Sequence, residues 1–302
     1  MTKNYIYIGL FLTSVLVSCR KENSVLPNSE STDTITEIQY TSDPDYVLSN
    51  KNAQELIVHL EDEQNDLKRK LKKANKKEAE ALYIDYYKRF TTIVDSLNLA
   101  EINTLNTYHQ MGTAKHDTIL RKQNTYDKLG LYFRKVDSTT YDFKIKPGFF
   151  YNLFHNKISK EFEEYLRLGY VEHKLFYDQQ TKNEKITLES QRNLIINWEK
   201  FITQHKDFKF IDSAKRSYSD NMMLYLFGTP AKPTFEISSK KLYVENEQEY
   251  ISFVKQNPNL ISAEITKSFL KHFYVNDKNF TSEKFYVDLK EFTKKEISEH
   301  IK

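Results

Sequence analysis

From Ala79 to Leu97 the apolar residues fall at Ala79, Leu82, Tyr83, Tyr86, Phe90, Ile93, Val94 and Leu97, in steps of three and four almost without fault. Such steps place all eight on one side of a 3.6-residue helix, and a stripe that wide must be buried against other elements. The same rhythm recurs along the chain. Leu56, Leu60, Leu67 and Leu71 mark one face of a segment over about 53–74, and Leu99, Ile102, Leu105 and Tyr108 suggest another helix, ended near Met111-Gly112 by a glycine cap. A further stripe begins at Phe149 and runs through Phe150, Leu153, Phe154, Ile158, Phe162, Tyr165 and Leu166. Two more are built on Leu194, Ile195, Trp198, Phe201 and Ile202, and on Ala214, Tyr218, Met222 and Tyr225. Helices resume near Glu247 and near Leu260, and the last, 282–301, carries Phe285, Leu289, Phe292 and Ile297. Connections this short predict antiparallel neighbours. Only 6 Gly and 6 Pro in 302 residues leave few places to interrupt a helix. So little glycine also argues against Rossmann, P-loop and many-hairpin β architectures, which need it in phosphate loops and tight turns.

Two stretches break the rhythm. Between Gly130 and Pro147, Tyr141, Phe143 and Ile145 alternate with Asp142, Lys144 and Lys146, the two-residue period of a short hairpin or extended edge. Thr229-Pro230-Ala231-Lys232-Pro233 interrupts the later helices. The fold class that follows is mainly α: a helical bundle or short helical-hairpin array with a small β-hairpin excursion.

Two of the predicted helical hairpins align at a spacing of 52 residues. Trp198, Phe201, Ile202 and Phe208 correspond to Tyr250, Phe253, Val254 and Leu260, each set an aromatic, then Phe and an aliphatic, then a polar turn, then a new apolar helix. The second copy, with Pro258 in its turn and Ala263 soon after, resembles the helix-turn-helix of tetratricopeptide-type repeats. The first copy departs from it, with Lys206 where the proline would fall. The resemblance covers about 70 residues and implies stacked hairpins that leave a groove for an extended or helical peptide. Two unrelated amphipathic hairpins would give the same pattern.

The N-terminus carries an address. Lys3 precedes an apolar run from Tyr5 to Val17, too short for a span of roughly 20 residues and typical of a secretion signal. It ends in Leu16-Val17-Ser18-Cys19, which resembles the complete lipobox of bacterial lipoproteins. That resemblance implies cleavage between Ser18 and Cys19 and acyl chains on the cysteine. It also gives the chain's single Cys a use, since an unpaired thiol is otherwise a liability in an exported protein. Arg20, where an Asp would imply retention at the inner membrane, implies the outer membrane. The Lys, Asn, Ile, Tyr and Phe bias resembles proteins of the Bacteroidota. Lipoproteins of that group often carry an acidic export signal after the cysteine, whereas Arg20-Lys21-Glu22-Asn23-Ser24 holds one acid, which leaves surface exposure open. From Arg20 to Asn50 the chain is polar with no sustained period, and reads as a flexible tether spanning roughly 30 Å. The organisation expected is a signal peptide over 1–18, a lipidated N-terminus and tether over 19–50, a helical region over 51–128 and a helical-hairpin region over 129–302. Asp33-Thr34-Ile35 resembles a Bacteroidota O-glycosylation site, but related triplets recur at Asp117-Thr118-Ile119 and Asp212-Ser213-Ala214, as chance would also produce.

Chemistry is harder to find. No HExxH, GxSxG or GxxxxGK[ST] string occurs, so no catalytic residue, cofactor or metal site is expected. With 45 Lys and Arg against 42 Asp and Glu, the net charge of +3 gives no global field toward nucleic acid. Glu161, Glu163, Glu164, Glu172 and His173 form the densest polar group; Glu161 and Glu164 share a helix face and could join His173 as metal ligands, or simply be a solvated face. His109 and His116 flank Gly112 and could converge across a turn. Lys68 to Lys77 holds seven cations in ten residues, preceded by Glu61, Asp62, Glu63 and Asp66. This is either a solvated helix end or a contact for anionic headgroups. The aromatics mostly fall on the helical stripes, while Tyr141, Tyr151 and Tyr177 are left over as candidates for an exposed, sugar-stacking patch. The expected role is that of a membrane-anchored envelope lipoprotein with a non-enzymatic binding or scaffold function, a protein or peptide of the envelope being the candidate partner, and an envelope hydrolase or glycan-active enzyme of scattered residues is the alternative.

Overall fold

The computed structural model describes residues 51–107, 116–137, 139–182, 185–229, 232–276 and 281–302. All of these belong to the second of the chain's two units, Thr34–Lys302. The protein is mostly helical, with small antiparallel strand pairs.

The first helical hairpin joins α1 (Ala53–Leu71) to α2 (Lys76–Ala100). Each opens with a reciprocal capping box: the Asn52 and Asn75 side chains accept from the amides of Glu55 and Glu78, whose carboxylates accept from the Asn amides in return. The striped faces meet, burying Leu56, Leu60, Leu67 and Leu71 against Ala79, Tyr83, Tyr86, Phe90, Ile93 and Leu97. Arg89 crosses from α2 to Glu63 at 2.9 Å. The next stripe is not realised as expected. α3 (Ile102–Thr107) is one short turn and a half in which Leu105 is buried, while Leu99 and Ile102 face solvent. Its supposed cap at Met111-Gly112 lies outside the described residues. A helix without a strong apolar stripe, α4 (His116–Lys128), follows; the sequence pattern gave no sign of it.

The predicted hairpin is present as β1 (Leu131–Lys135) and β2 (Tyr141–Ile145), with Phe133 opposite Phe143. Gly130 feeds it at φ +81°, and a Cβ there would lie 2.2 Å from a ring carbon of Phe149, so both backbone and space require glycine. Asn98 of α2 docks the strand edge, its Oδ1 accepting from the Phe143 amide at 2.7 Å and its Nδ2 donating to the Phe143 carbonyl at 3.3 Å. Arg134 and Asp142 pair side-on across the hairpin at 2.9 and 2.6 Å.

The stripe beginning at Phe149 splits into α5 (Phe149–Phe154) and α6 (Lys160–Lys182). Asn156 at φ +63° turns the chain, and Ser159 restarts it, donating its amide to Glu80 Oε1 at 2.9 Å and accepting from the Phe162 amide. The break lets rings from both pieces surround Tyr83, with Phe154 and Phe162 edge-on at 5.3 and 5.0 Å between centroids.

Four helices follow in two hairpins, α7 (Leu188–Gln204) with α8 (Ile211–Phe227) and α9 (Val244–Gln256) with α10 (Ile261–Asn276). The Thr229–Pro233 interruption forms a tight pair, β3 (Gly228–Thr229) with β4 (Lys232–Pro233), and a second small pair joins β5 (Phe235–Glu236) to β6 (Lys241–Leu242). The closing helix, α11 (Ser282–His300), packs on α10 and α8.

Candidate functional site

The two late hairpins carry the resemblance noted in the sequence, and their backbones repeat it. His205 ends α7 by donating its amide to the Phe201 carbonyl at 3.0 Å; 52 residues on, Asn257 ends α9 by donating to Phe253 at 3.0 Å. The two cap residues have nearly the same backbone angles, −120°, 53° and −129°, 50°. Phe208 then donates to His205, and Leu260 to Asn257, at 3.0 and 3.1 Å. Past that point the copies diverge: α8 begins at Ile211 and α10 at Ile261, an offset of 50, so the second turn is two residues shorter.

A buried carboxylate ties one hairpin to the other. Glu199 of α7, 4% exposed, points both oxygens at the start of α10 and accepts from the amides of Ile261 and Ser262 at 2.8 Å each. Those amides have no intrahelical partner, and the positive end of the α10 dipole is matched by the carboxylate. The sequence held a signal for this residue that was passed over: Glu199 stands on the stripe between Ile195 and Ile202.

What the stack leaves uncovered is the far side of α9. Val244 and Ile251, seven residues apart and therefore on one face, are 68% and 53% exposed. Tyr274 of α10, half exposed, reaches across to donate its hydroxyl to Glu247 between them. Nearby in sequence, Tyr243 and Val275 are also open to solvent. Exposed apolar side chains concentrated on one face, with polar Gln248 and Lys255 beside them, have the composition of an interaction surface.

The remaining candidates resolve differently. Leu16, Val17, Ser18 and Cys19, the tether and Asp33-Thr34-Ile35 all lie outside the described residues, as does His109; His116 opens α4. Ser213 of the Asp212-Ser213-Ala214 triplet is buried and accepts from the Tyr165 hydroxyl at 3.0 Å, which leaves no room for a glycan. The acidic group does not converge on a metal site. Among the described residues no three His, Cys, Asp or Glu side chains are placed to hold a metal ion. Glu161, Glu163 and Glu164 stay at the rim of the first turns of α6, where Glu164 faces Arg167 and His205.

Glu172, by contrast, is inside, 3% exposed, and accepts from Trp198 Nε1 at 2.9 Å. Burial, aided by the nearby Asp220 charge, pushes its carboxyl up to about 7 against the hydrogen bonds of Asn221, Trp198 and Ser217. Its neighbour His173 goes the other way, held down to about 4 by burial and by the Lys144 charge. Burial also raises Asp220. A carboxyl poised near neutrality is the kind of group an enzyme uses, but this one is enclosed by three helices. The left-over tyrosines do not make one patch either. Tyr151 stacks on Tyr170 at 5.8 Å, Tyr177 meets Tyr132 edge-on at 4.8 Å, and Tyr141 packs on the core. An open depression along α1, lined by His59, Asp62, Glu63, Asn65, Asp66 and Arg69, has Glu63 and Asp66 already engaged by Arg89, Arg69 and Lys70.

Comparison with protein-family models, with curated proteins and with solved structures returned no match. No helix among the described residues is long and apolar enough to cross a membrane.

Proposed function

We propose that the chain is an envelope lipoprotein, anchored through acylated Cys19 in the outer membrane, whose helical body binds a protein or peptide partner and does no chemistry on it. The observation that supports this reading best is the pair of stacked hairpins, joined through Glu199, that leaves Val244, Ile251 and Tyr274 uncovered on the far side of α9. Apolar groups displayed on a rigid helical scaffold suit partner recognition. The enzymatic alternative would draw on Glu172. Its carboxyl is enclosed and already engaged with Trp198, a poor arrangement for meeting a substrate.

Two measurements test the reading. Mass spectrometry of the mature N-terminus should find a chain beginning at an acylated Cys19; an unmodified peptide running through that residue overturns the anchor. A photo-reactive side chain at Gln248, between Val244 and Ile251, should give a discrete cross-linked adduct in cells, and Ile251→Glu should abolish it. A chain that gives no adduct from 248, or an adduct indifferent to Ile251→Glu, has no partner on this face.

A further inference from the structure

The turn joining α1 to α2 carries Lys68, Arg69, Lys70, Lys72, Lys73, Lys76 and Lys77, all exposed. Asp66 holds Arg69 and Lys70, at 2.8 and 2.6 Å, while the other five make no ion pair with a described residue. The helix dipole accounts for the first five cations, which stand in the last turn of α1 or just past it, where positive charge is favoured. It does not account for Lys76 and Lys77. These are the first two residues of α2, at the positive end of that helix's dipole, next to the capping box that recruits Glu78 as its anion. Lys72 and Lys73 precede them in the four-residue turn, separated from them only by Ala74 and Asn75. Stability alone would favour acids at 76 and 77.

The rest of the hairpin sharpens the contrast. Glu55, Glu61, Asp62, Glu63 and Asp66 precede the cations on α1, and on α2 Glu78, Glu80 and Asp85 follow them with Lys88 and Arg89 beyond, so the run of positive charge is confined to the tip while the body of the hairpin is mixed. We propose that this tip docks on the anionic headgroups of a lipid bilayer. Seven exposed cations clustered at the turn of a helical hairpin suit a plane of charge. A nucleic-acid strand would call for a groove with stacking rings, and no residue from 68 to 77 is aromatic. An anionic surface would attract the tip more than the mixed-charge body, orienting the hairpin with its turn toward the membrane.

The proposal rests on the anchor reading only for bringing the bilayer within reach. α1, at 19 residues, is about 28 Å long, and the expected tether spans roughly 30 Å. A chain anchored at Cys19 and entering α1 at its N-terminus can therefore still set the tip on the surface.

The test uses the full chain carrying Cys19→Ser, which cannot be acylated, sedimented with vesicles of phosphatidylcholine alone or with about one third phosphatidylglycerol. The apolar first segment is the same in both mixtures, so their difference reports charge. The expected result is extra binding to the anionic vesicles that disappears near 1 M salt, where the screening length falls to about 3 Å. K76E/K77E should reduce that extra binding by at least about 25-fold, about fivefold for each positive charge lost with the reversal of sign adding to it, and should raise the thermal midpoint in solution because acids suit the start of α2. Weaker docking with greater stability is a combination that a purely structural role would not produce. Equal binding by K76E/K77E, a lowered midpoint, or equally effective competition by single-stranded DNA at matched phosphate concentration would each overturn the proposal. Failure of the anchor is read separately, as loss of the wild-type cellular protein from neutral vesicles.

Discussion

Glu172 and His173 are consecutive, and their surroundings drive them in opposite senses, which gives a pH profile with an unusual shape. For Glu172 the ordinary value of 4.5 rises to about 7 in the fold. Between those values the native state holds a proton that the unfolded chain has released, so stability is fully present below pH 4.5 and falls as pH climbs through 7. At about 1.4 kcal/mol per tenfold, the ionised carboxyl costs the fold about 3 kcal/mol at pH 8. For His173 the ordinary value of 6.5 drops to about 4. The unfolded chain then binds the extra proton, and stability falls as pH drops from 6.5 toward 4. From 4.5 to 6.5 the two slopes cancel. Substitution should uncover each. Glu172→Gln keeps an oxygen for Trp198 Nε1 and stays neutral, so it should gain up to about 3 kcal/mol on the wild type at pH 8 and nothing near pH 4.5. His173→Gln should leave a profile that declines steadily from pH 4.5 to 7. Urea denaturation of the three proteins from pH 4.5 to 8.5 measures this, and a 3 kcal/mol gain would move the midpoint by about 1 M or more. The other titrating groups cancel in the difference between profiles. Parallel curves for Glu172→Gln and wild type would mean that the carboxyl is not held in a dry site, and would refute the reasoning.

Three further outcomes follow from single contacts. Glu199→Ala strips both capped amides of α10 and should cost about 2–3 kcal/mol, with hydrogen exchange accelerated first at Ile261 and Ser262; unchanged protection there would sink the capping role. Gly130→Ala meets both a φ of +81° and the Phe149 ring, and should destabilise by at least about 2 kcal/mol in denaturant. Asn98→Ala should cost about 1–2 kcal/mol by unpairing the Phe143 amide from its acceptor, which a loss of exchange protection at Phe143 would register.

The helices that could be read in advance are those whose stripe is complete in itself. In α2 every third or fourth residue from Ala79 to Leu97 is apolar, and no tertiary information is needed to place its buried face. The stripe after Phe149 is equally apolar, yet the chain breaks at Asn156. Periodicity measures which residues want burial, not whether one straight rod can bury them all, and here two pieces are needed to close around Tyr83. α4 was invisible for the converse reason: over 121–128 its buried side chain is Tyr126, whose ring lies tilted against Phe143 at 4.2 Å, a contact that exists only once the hairpin is built. The candidate surface on α9 was half visible. The repeat that positions it is in the sequence, while the uncovered state of Val244 and Ile251 depends on where α10 and α11 end up.

Acids set in apolar stripes show where such reading stops and what takes over. Glu172 lies seven residues after Tyr165 on the buried side of α6, and Glu199 four after Ile195 on that of α7. By pattern they are the same event, a carboxyl where a leucine would fit, and each could have been flagged from the spacing alone. Their physics is decided by the opposing element. Across from Glu199 is the first turn of α10, which offers two unpaired amides and a favourable dipole, so the charge is used and the hairpins are locked together. Across from Glu172 are side chains rather than a helix start: Asn221, Trp198 and Ser217 offer hydrogen bonds, but burial and the charge of a second acid, Asp220, outweigh them and the proton is retained to near neutrality. The first acid therefore ties two hairpins together, while the second makes the core sensitive to pH, and what separates them is whether the opposing element presents the start of a helix or the side chains of its middle.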